Sequence, residues 1–356
     1  MKFKFIVISF LFVFAFSSCK QQNLTLYVGT YTNGDSEGIY RFDFNTETGK
    51  LSNKQLAVAV ENPSFITFSP NKKNLYAVGE GEASAVTAFK LKEDGTLAFI
   101  NTESSNGKGP CHVAVNESGN KAVVSNYGGG TISIYSINKN GSLEKASQIF
   151  NHNEEGEKPA RAHSSQFHKD DLFVSDLGRN RFYHYKLLDN NYQIESESII
   201  NIKGNPGPRH FAISKDGNFI YIINEYGGSI TSIKKTDFGF EQIDFDSTLD
   251  ENYTGNNKCA DIHLSKDERF LYGSNRGENT IAVFNRNTKT GEIERIQNTS
   301  VHGDWPRNFT IDPTGKFLLV ANKKSQNIAV FSIDKTSGKL TFLHDVKAPE
   351  PVCLLF

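Results

Sequence analysis

Trp305-Pro306-Arg307-Asn308-Phe309-Thr310-Ile311-Asp312-Pro313-Thr314-Gly315-Lys316-Phe317-Leu318-Leu319-Val320-Ala321-Asn322-Lys323, continued by Ile328-Ala329-Val330-Phe331 and Ser337-Gly338-Lys339-Leu340, holds one whole structural unit. A short apolar run after Pro306 meets a Pro-Thr-Gly turn, and a second apolar run returns from it. A third run follows, and the Ser-Gly-Lys-Leu turn introduces a fourth. Gly in such turns accepts positive φ without a Cβ clash, which is the chemistry of hairpins.

The same order recurs along the chain with a period of about 48 residues, in the range of propeller blades. The second turn returns as Thr48-Gly49-Lys50-Leu51, Asp94-Gly95-Thr96-Leu97, Asn140-Gly141-Ser142-Leu143 and Thr290-Gly291-Glu292-Ile293, with looser forms near Asn190 and Phe238. The opening position reads Pro63, Pro110, Ala162, Pro208, Cys259, Pro306 and Pro351, each followed five residues on by an apolar side chain, from Phe68 to Phe356. One four-stranded sheet cannot bury both of its faces alone and must stack on neighbours. The chain starts mid-repeat at Leu24-Thr25-Leu26-Tyr27-Val28 and ends after one opening strand, Val352 to Phe356. Pairing that C-terminal strand with the N-terminal strands completes a further sheet and removes an exposed edge. The expectation is an all-β, seven-bladed β-propeller with four-stranded blades over residues 24–356.

Aromatic residues at 12% and a single Met agree with strands. Charge is balanced, 39 basic against 40 acidic residues, with no basic stripe, so nucleic acid is not an expected partner. Residues 1–18 read as a signal peptide: Lys2 and Lys4, an apolar run from Phe5 to Phe16, then Ser17-Ser18-Cys19. The ending resembles a bacterial lipobox, with Phe16 where Leu is usual. Cys19 is then the lipidation site, residues 19–23 a short tether, and the protein extracytoplasmic (periplasmic), held to the membrane by acyl chains alone. Cys111, Cys259 and Cys353 lack disulfide or zinc spacing and are expected to be buried thiols.

The repeat brings two slots of every blade to one mouth of the central channel. The residue after the opening position is Ser64, Cys111, His163, Arg209, Ala260, Arg307 or Val352. The residue closing the returning strand is Tyr31, Glu80, Tyr127, Leu177, Glu225, Arg276 or Lys323. A purely structural repeat would fill equivalent slots alike, so these varied and charged residues read as a site. Just before the second slot, Asn126, Asp176, Asn224, Asn275 and Asn322 are nearly constant and read as scaffold. His112, His168, His184, His263 and His344 have no metal spacing and read as ordinary core or surface side chains. His210 follows Arg209 and is expected to point to the other face of its strand.

Several stretches resemble the lactonase family of seven-bladed propellers, which includes bacterial propeller-type 6-phosphogluconolactonases and fungal carboxymuconate cyclases. They are Gly38-Ile39-Tyr40 with Thr48-Gly49-Lys50-Leu51, Asn62-Pro63-Ser64-Phe65, Gly207-Pro208-Arg209-His210, Asn224-Glu225, Ser274-Asn275-Arg276-Gly277, Trp305-Pro306-Arg307-Asn308-Phe309 and Ala321-Asn322-Lys323. By motif, the resemblance implies functional roles for His163, Arg209, Glu225 and Arg276. It implies hydrolysis of an anionic sugar lactone, 6-phosphogluconolactone first of all.

The residue types suit that chemistry. His163 or Glu225 is a candidate general base, and arginine stabilises a developing oxyanion without a metal. No metal and no cofactor are therefore expected. Arg307, Lys323, Glu80 and Tyr127 are candidate substrate contacts. No Gly-x-Ser-x-Gly nucleophile motif is present. The alternatives are a non-catalytic propeller binding an anionic carbohydrate or a protein partner, and a muconate-type lactonizing cyclase.

Overall fold

The returning apolar runs are buried from end to end: Phe219–Asn224 and Phe317–Asn322 expose almost nothing. Side chains alternate across a strand, so burial of every residue means both faces of the sheet are covered. The computed structural model describes residues 23–204 and 206–356 and arranges them as seven four-stranded antiparallel sheets in a ring. We number the blades by their inner strands: Phe65–Phe68, Pro110–Val115, Ala162–His168, Pro208–Ile213, Lys258–Leu264, Pro306–Ile311 and, for the seventh, Pro351–Leu355. The expected signal peptide and the expected lipidation site at Cys19 lie outside the described residues. No helix occurs among the described ones.

Seven apolar clusters hold the ring, one at each blade-to-blade interface. That between the sixth and seventh blades packs Phe317, Leu319 and Val330 against Leu26, Phe42 and Phe44. That between the fourth and fifth packs Tyr221 and Ile223 against Leu271 and Phe284. The returning strand of one blade meets the second turn of the next at these interfaces. Tyr221 and Tyr272, on returning strands, donate to the carbonyls of Gly291 and Gly338 in the next blade's turn, at 2.9 and 3.0 Å. Both glycines have positive φ, and a Cβ on either would run into Phe219 or Phe270. Turn chemistry and interblade packing thus demand the same residue.

The seventh blade closes as expected: Pro351–Leu355 pairs antiparallel with Asn23–Thr30, matching Val28 with Leu354 and Gly29 with Cys353. Deleting residues 351–356 would leave Asn23–Thr30 with an open edge and an unfilled apolar face. The truncated chain is expected to self-associate, and a monodisperse monomer by light scattering would contradict this. Cys111, Cys259 and Cys353 are free and buried.

The near-constant residues before the second slot act as scaffold. Asn126, Asn275 and Asn322 reach back to the carbonyls of Ser105, Thr248 and Val301, where the preceding blade ends. Asp176 accepts instead from the backbone N–H groups of Arg161 and Arg179.

Candidate active site

The inner strands do not pair evenly with their neighbours. Register slips between Pro208 and His210, between Ala162 and Ser164, between Pro306 and Asn308, and between Pro110 and His112. The residue skipped in each case is Arg209, His163, Arg307 or Cys111. A bulged residue leaves the ladder and its side chain is re-aimed. Here the bulges turn the first slot towards the axis of the ring.

Arg209 and Arg276 converge on one oxygen of Glu225. Arg209 Nε lies 3.1 Å and Arg276 Nη2 2.9 Å from Glu225 Oε2. All three side chains are nearly buried. Arg209 also donates to the carbonyl of Ala260, and Arg276 donates to the carbonyls of Lys258 and Cys259, both at 3.0 Å. Burial alone would raise the Glu225 carboxyl, but Arg276 and Arg209 outweigh it and hold the group below its usual range. Burial and the charge of Arg307 lower the Arg209 guanidinium. Burial and the charge of Arg209 lower that of Arg276. Two buried cations against one carboxylate leave an excess of one positive charge.

His163 stands beside this cluster, its ring between Tyr127 and His210 at centroid distances of 5.5 and 5.3 Å. Burial, followed by Arg209, His210, Arg307 and Arg276, pushes its pKa well below 6.5, so the imidazole is neutral at neutral pH. Its Nδ1 is buried without a hydrogen-bond partner among the described residues, which is uncommon in a native interior.

A second group faces the first. Tyr31 donates to Glu80 Oε2 at 2.7 Å, and Arg307 lies 3.7 Å from the same oxygen. Arg307 and Lys323 both sit over the Tyr31 ring, at 5.3 and 4.8 Å from its centroid, and Lys323 also lies 3.9 Å from Glu350. The charge of Arg307 acts on Arg209, Glu225, Arg276 and His163, so the two groups share one field. Tyr31 stood in the second slot without an assigned role, and Glu350 was not picked out from the sequence.

His210, next to Arg209 in the chain, points to a different partner, as its position implies. Its Nδ1 lies 2.7 Å from Asp261. Asp261 is buried and also meets His263 at 3.0 Å, Asn308 at 2.5 Å and the Phe309 N–H at 3.1 Å. This network borders a cavity of about 520 Å³ whose walls include His112, Gln166 and Lys215. Sequence reading gave His112 and His263 no special place and passed over Asp261. A lone Asp amid apolar residues signals its partners only once the blades are assembled. Among the described residues, no three His, Cys, Asp or Glu side chains are disposed to hold a metal.

The fold and site can now be set beside known proteins. The profile of the family described as "Lactonase, 7-bladed beta-propeller" matches residues 25–356. A 6-phosphogluconolactonase of Bacillus subtilis is 34% identical over 342 residues, covering 93% of this chain and 97% of its own. One from Formosa agariphila is 34% identical over 335 residues, covering 88% and 94%. Among solved structures, the periplasmic gluconolactonase PpgL of Pseudomonas aeruginosa superposes with a TM-score of 0.88 at 26% identity, covering 94% of this chain and 99% of that one. A protein from Lactobacillus plantarum gives 0.87 at 33% identity over the same shares.

Proposed function

The chain belongs to the lactonase family of seven-bladed β-propellers, and on that premise we propose that it hydrolyses a sugar-derived lactone at the Arg209–Glu225–Arg276 mouth. It is a carboxylic ester hydrolase that opens lactones. The observation that carries the assignment to this mouth is the buried excess of positive charge beside a neutral imidazole with an unsatisfied nitrogen.

In this reading His163 takes a proton from water, and the hydroxide oxygen adds to the lactone carbonyl carbon. The resulting oxyanion is met by Arg276 and Arg209, fixed donors in a water-poor setting. The ring C–O bond then breaks, and the leaving alkoxide recovers the proton from the imidazolium, giving the open hydroxy acid. Glu225 is a poor candidate for the base, because two guanidiniums stabilise its ionised form. It holds both arginines in place instead.

The curated relatives carry the name 6-phosphogluconolactonase. An anionic tail on the substrate suits Arg307 and Lys323, with Glu80 and Tyr127 as further contacts. Lipidation at Cys19 would put the enzyme outside the cytoplasmic membrane, and the P. aeruginosa neighbour is described as periplasmic. Proton release from δ-gluconolactone and from 6-phosphogluconolactone, followed by NMR, tests the proposal. A rate no faster than the spontaneous one with both lactones would end it.

The pH profile follows from the same groups. A base must be deprotonated, so the rate falls only as pH drops through the lowered pKa of His163. The carboxylate of Glu225, held below its usual range, stays ionised from pH 8 to 6.5. We expect kcat/KM to stay level over that range, with the acid limb below 6.5. An acid limb above pH 7 would exclude His163 as the base.

A further inference from the structure

Trp305 occupies a left-handed backbone position that Asn62, Gly109 and Gly207 fill in three other blades. The residue before the opening proline has left-handed backbone in five blades: Asn62 (φ 43), Gly109 (φ 60), Gly207 (φ 71), Trp305 (φ 69) and Glu350 (φ 37). Gly and Asn tolerate that region, whereas a bulky side chain there is a true outlier. Asn62 serves the loop, accepting from the Thr32 N–H at 2.8 Å. The two larger exceptions both send side chains into the mouth, Glu350 to Lys323 and Trp305 to Arg276.

Trp305 is the only tryptophan of the chain. Its backbone is tied at both ends: its N–H donates to Asn279 Oδ1 at 2.9 Å, and its carbonyl accepts from Lys323 at 3.1 Å. The indole is half-buried, with the Arg276 guanidinium 5.3 Å and the Lys324 ammonium 3.7 Å from its ring. Lys324 is exposed, so it can swing away from the ring into water. A pyranose has an apolar face of C–H groups that packs on an aromatic ring in its place. Arg276, the donor assigned to the lactone carbonyl oxygen, lies 5.3 Å from the centroid of the same ring.

We propose that Trp305 is the platform on which the sugar ring of the lactone stacks, fixing the carbonyl beside Arg276. This deepens, and rests on, the hydrolase reading given above. Strain at a site whose backbone asks for glycine is the pattern expected where function overrides local preference.

The lone tryptophan makes the test direct. Titrating the full-length protein with D-glucono-δ-lactam, which keeps the six-membered ring and resists hydrolysis, is expected to change its intrinsic emission saturably, at the same concentrations at which the lactam inhibits hydrolysis of δ-gluconolactone. Trp305→Gly, which suits the backbone, is expected to raise KM at least tenfold while leaving kcat within a few-fold and the thermal midpoint no lower. Trp305→Phe keeps an aromatic face and is expected to restore most of the affinity. Inhibition by the lactam with unchanged emission, or a wild-type KM in Trp305→Gly, would overturn the platform. Saturable emission without any turnover would support the platform and end the hydrolase reading instead.

Discussion

Arg209→Ala and Arg276→Ala are each expected to lower kcat/KM for lactone hydrolysis by about 10²–10³-fold, the usual loss for one donor to a developing oxyanion. Each removes a cation from a buried pair that shares Glu225 Oε2. The double variant is expected to lose less than the product of the two, because residues acting on one oxyanion are not independent. Lysine at position 276 would keep the charge but lose the fork that reaches Glu225 and two carbonyls together. Steady-state rates for the three alanine variants, with thermal midpoints measured alongside, check this. Loss of activity below threefold in both single variants would move the chemistry away from this mouth.

The largest effect on stability is expected from Asp261→Ala. Asp261 accepts from His210 on the fourth blade and from Asn308 and Phe309 on the sixth, while belonging to the fifth itself. Asn308 in turn accepts from the Leu354 N–H of the closing strand at 2.7 Å. One carboxylate thereby ties four inner strands. The pKa of His210 is lowered to about 4 by burial and by Arg209, against the pull of Asp261, so its ring is neutral at neutral pH. Removing the acceptor strands these donors and costs about 3–5 kcal/mol, as when one partner of a buried ionic group is lost. For a chain of this size that is a fall in thermal midpoint of about 4–7 °C. Calorimetry on the wild type and Asp261→Ala measures it, and a shift below 1 °C would show that the hub carries no weight.

The blade count, the strand order and the split seventh blade were legible because each rests on local rules repeated along the chain. The Thr/Asp/Asn-Gly turns need positive φ, the returning runs need two buried faces, and incomplete ends must find each other. The two-slot comparison also singled out Arg209, Glu225 and Arg276, which the structure brings together, because varied and charged residues in equivalent slots depart from a purely structural repeat. Trp305 was quoted only as part of a motif. Its signal was a tryptophan at a position where Asn62, Gly109 and Gly207 stand in other blades, and its meaning depends on a φ that sequence does not display.

The sequence by itself thus determined the ring and the two slots of each blade that meet at its mouth, because short-range turn chemistry and strand periodicity act between near neighbours. Only the tertiary structure decided how those residues meet. Bulges at Arg209 and His163 aim them off the ladder. Both arginines then settle on one carboxylate oxygen, His163 stays neutral, and Asp261 gathers donors from other blades. Asp261 stands 51 residues from His210 and 47 from Asn308 in the chain, and no local rule links them. Their pairing and their protonation are set by burial and charge, which exist only once the blades have closed.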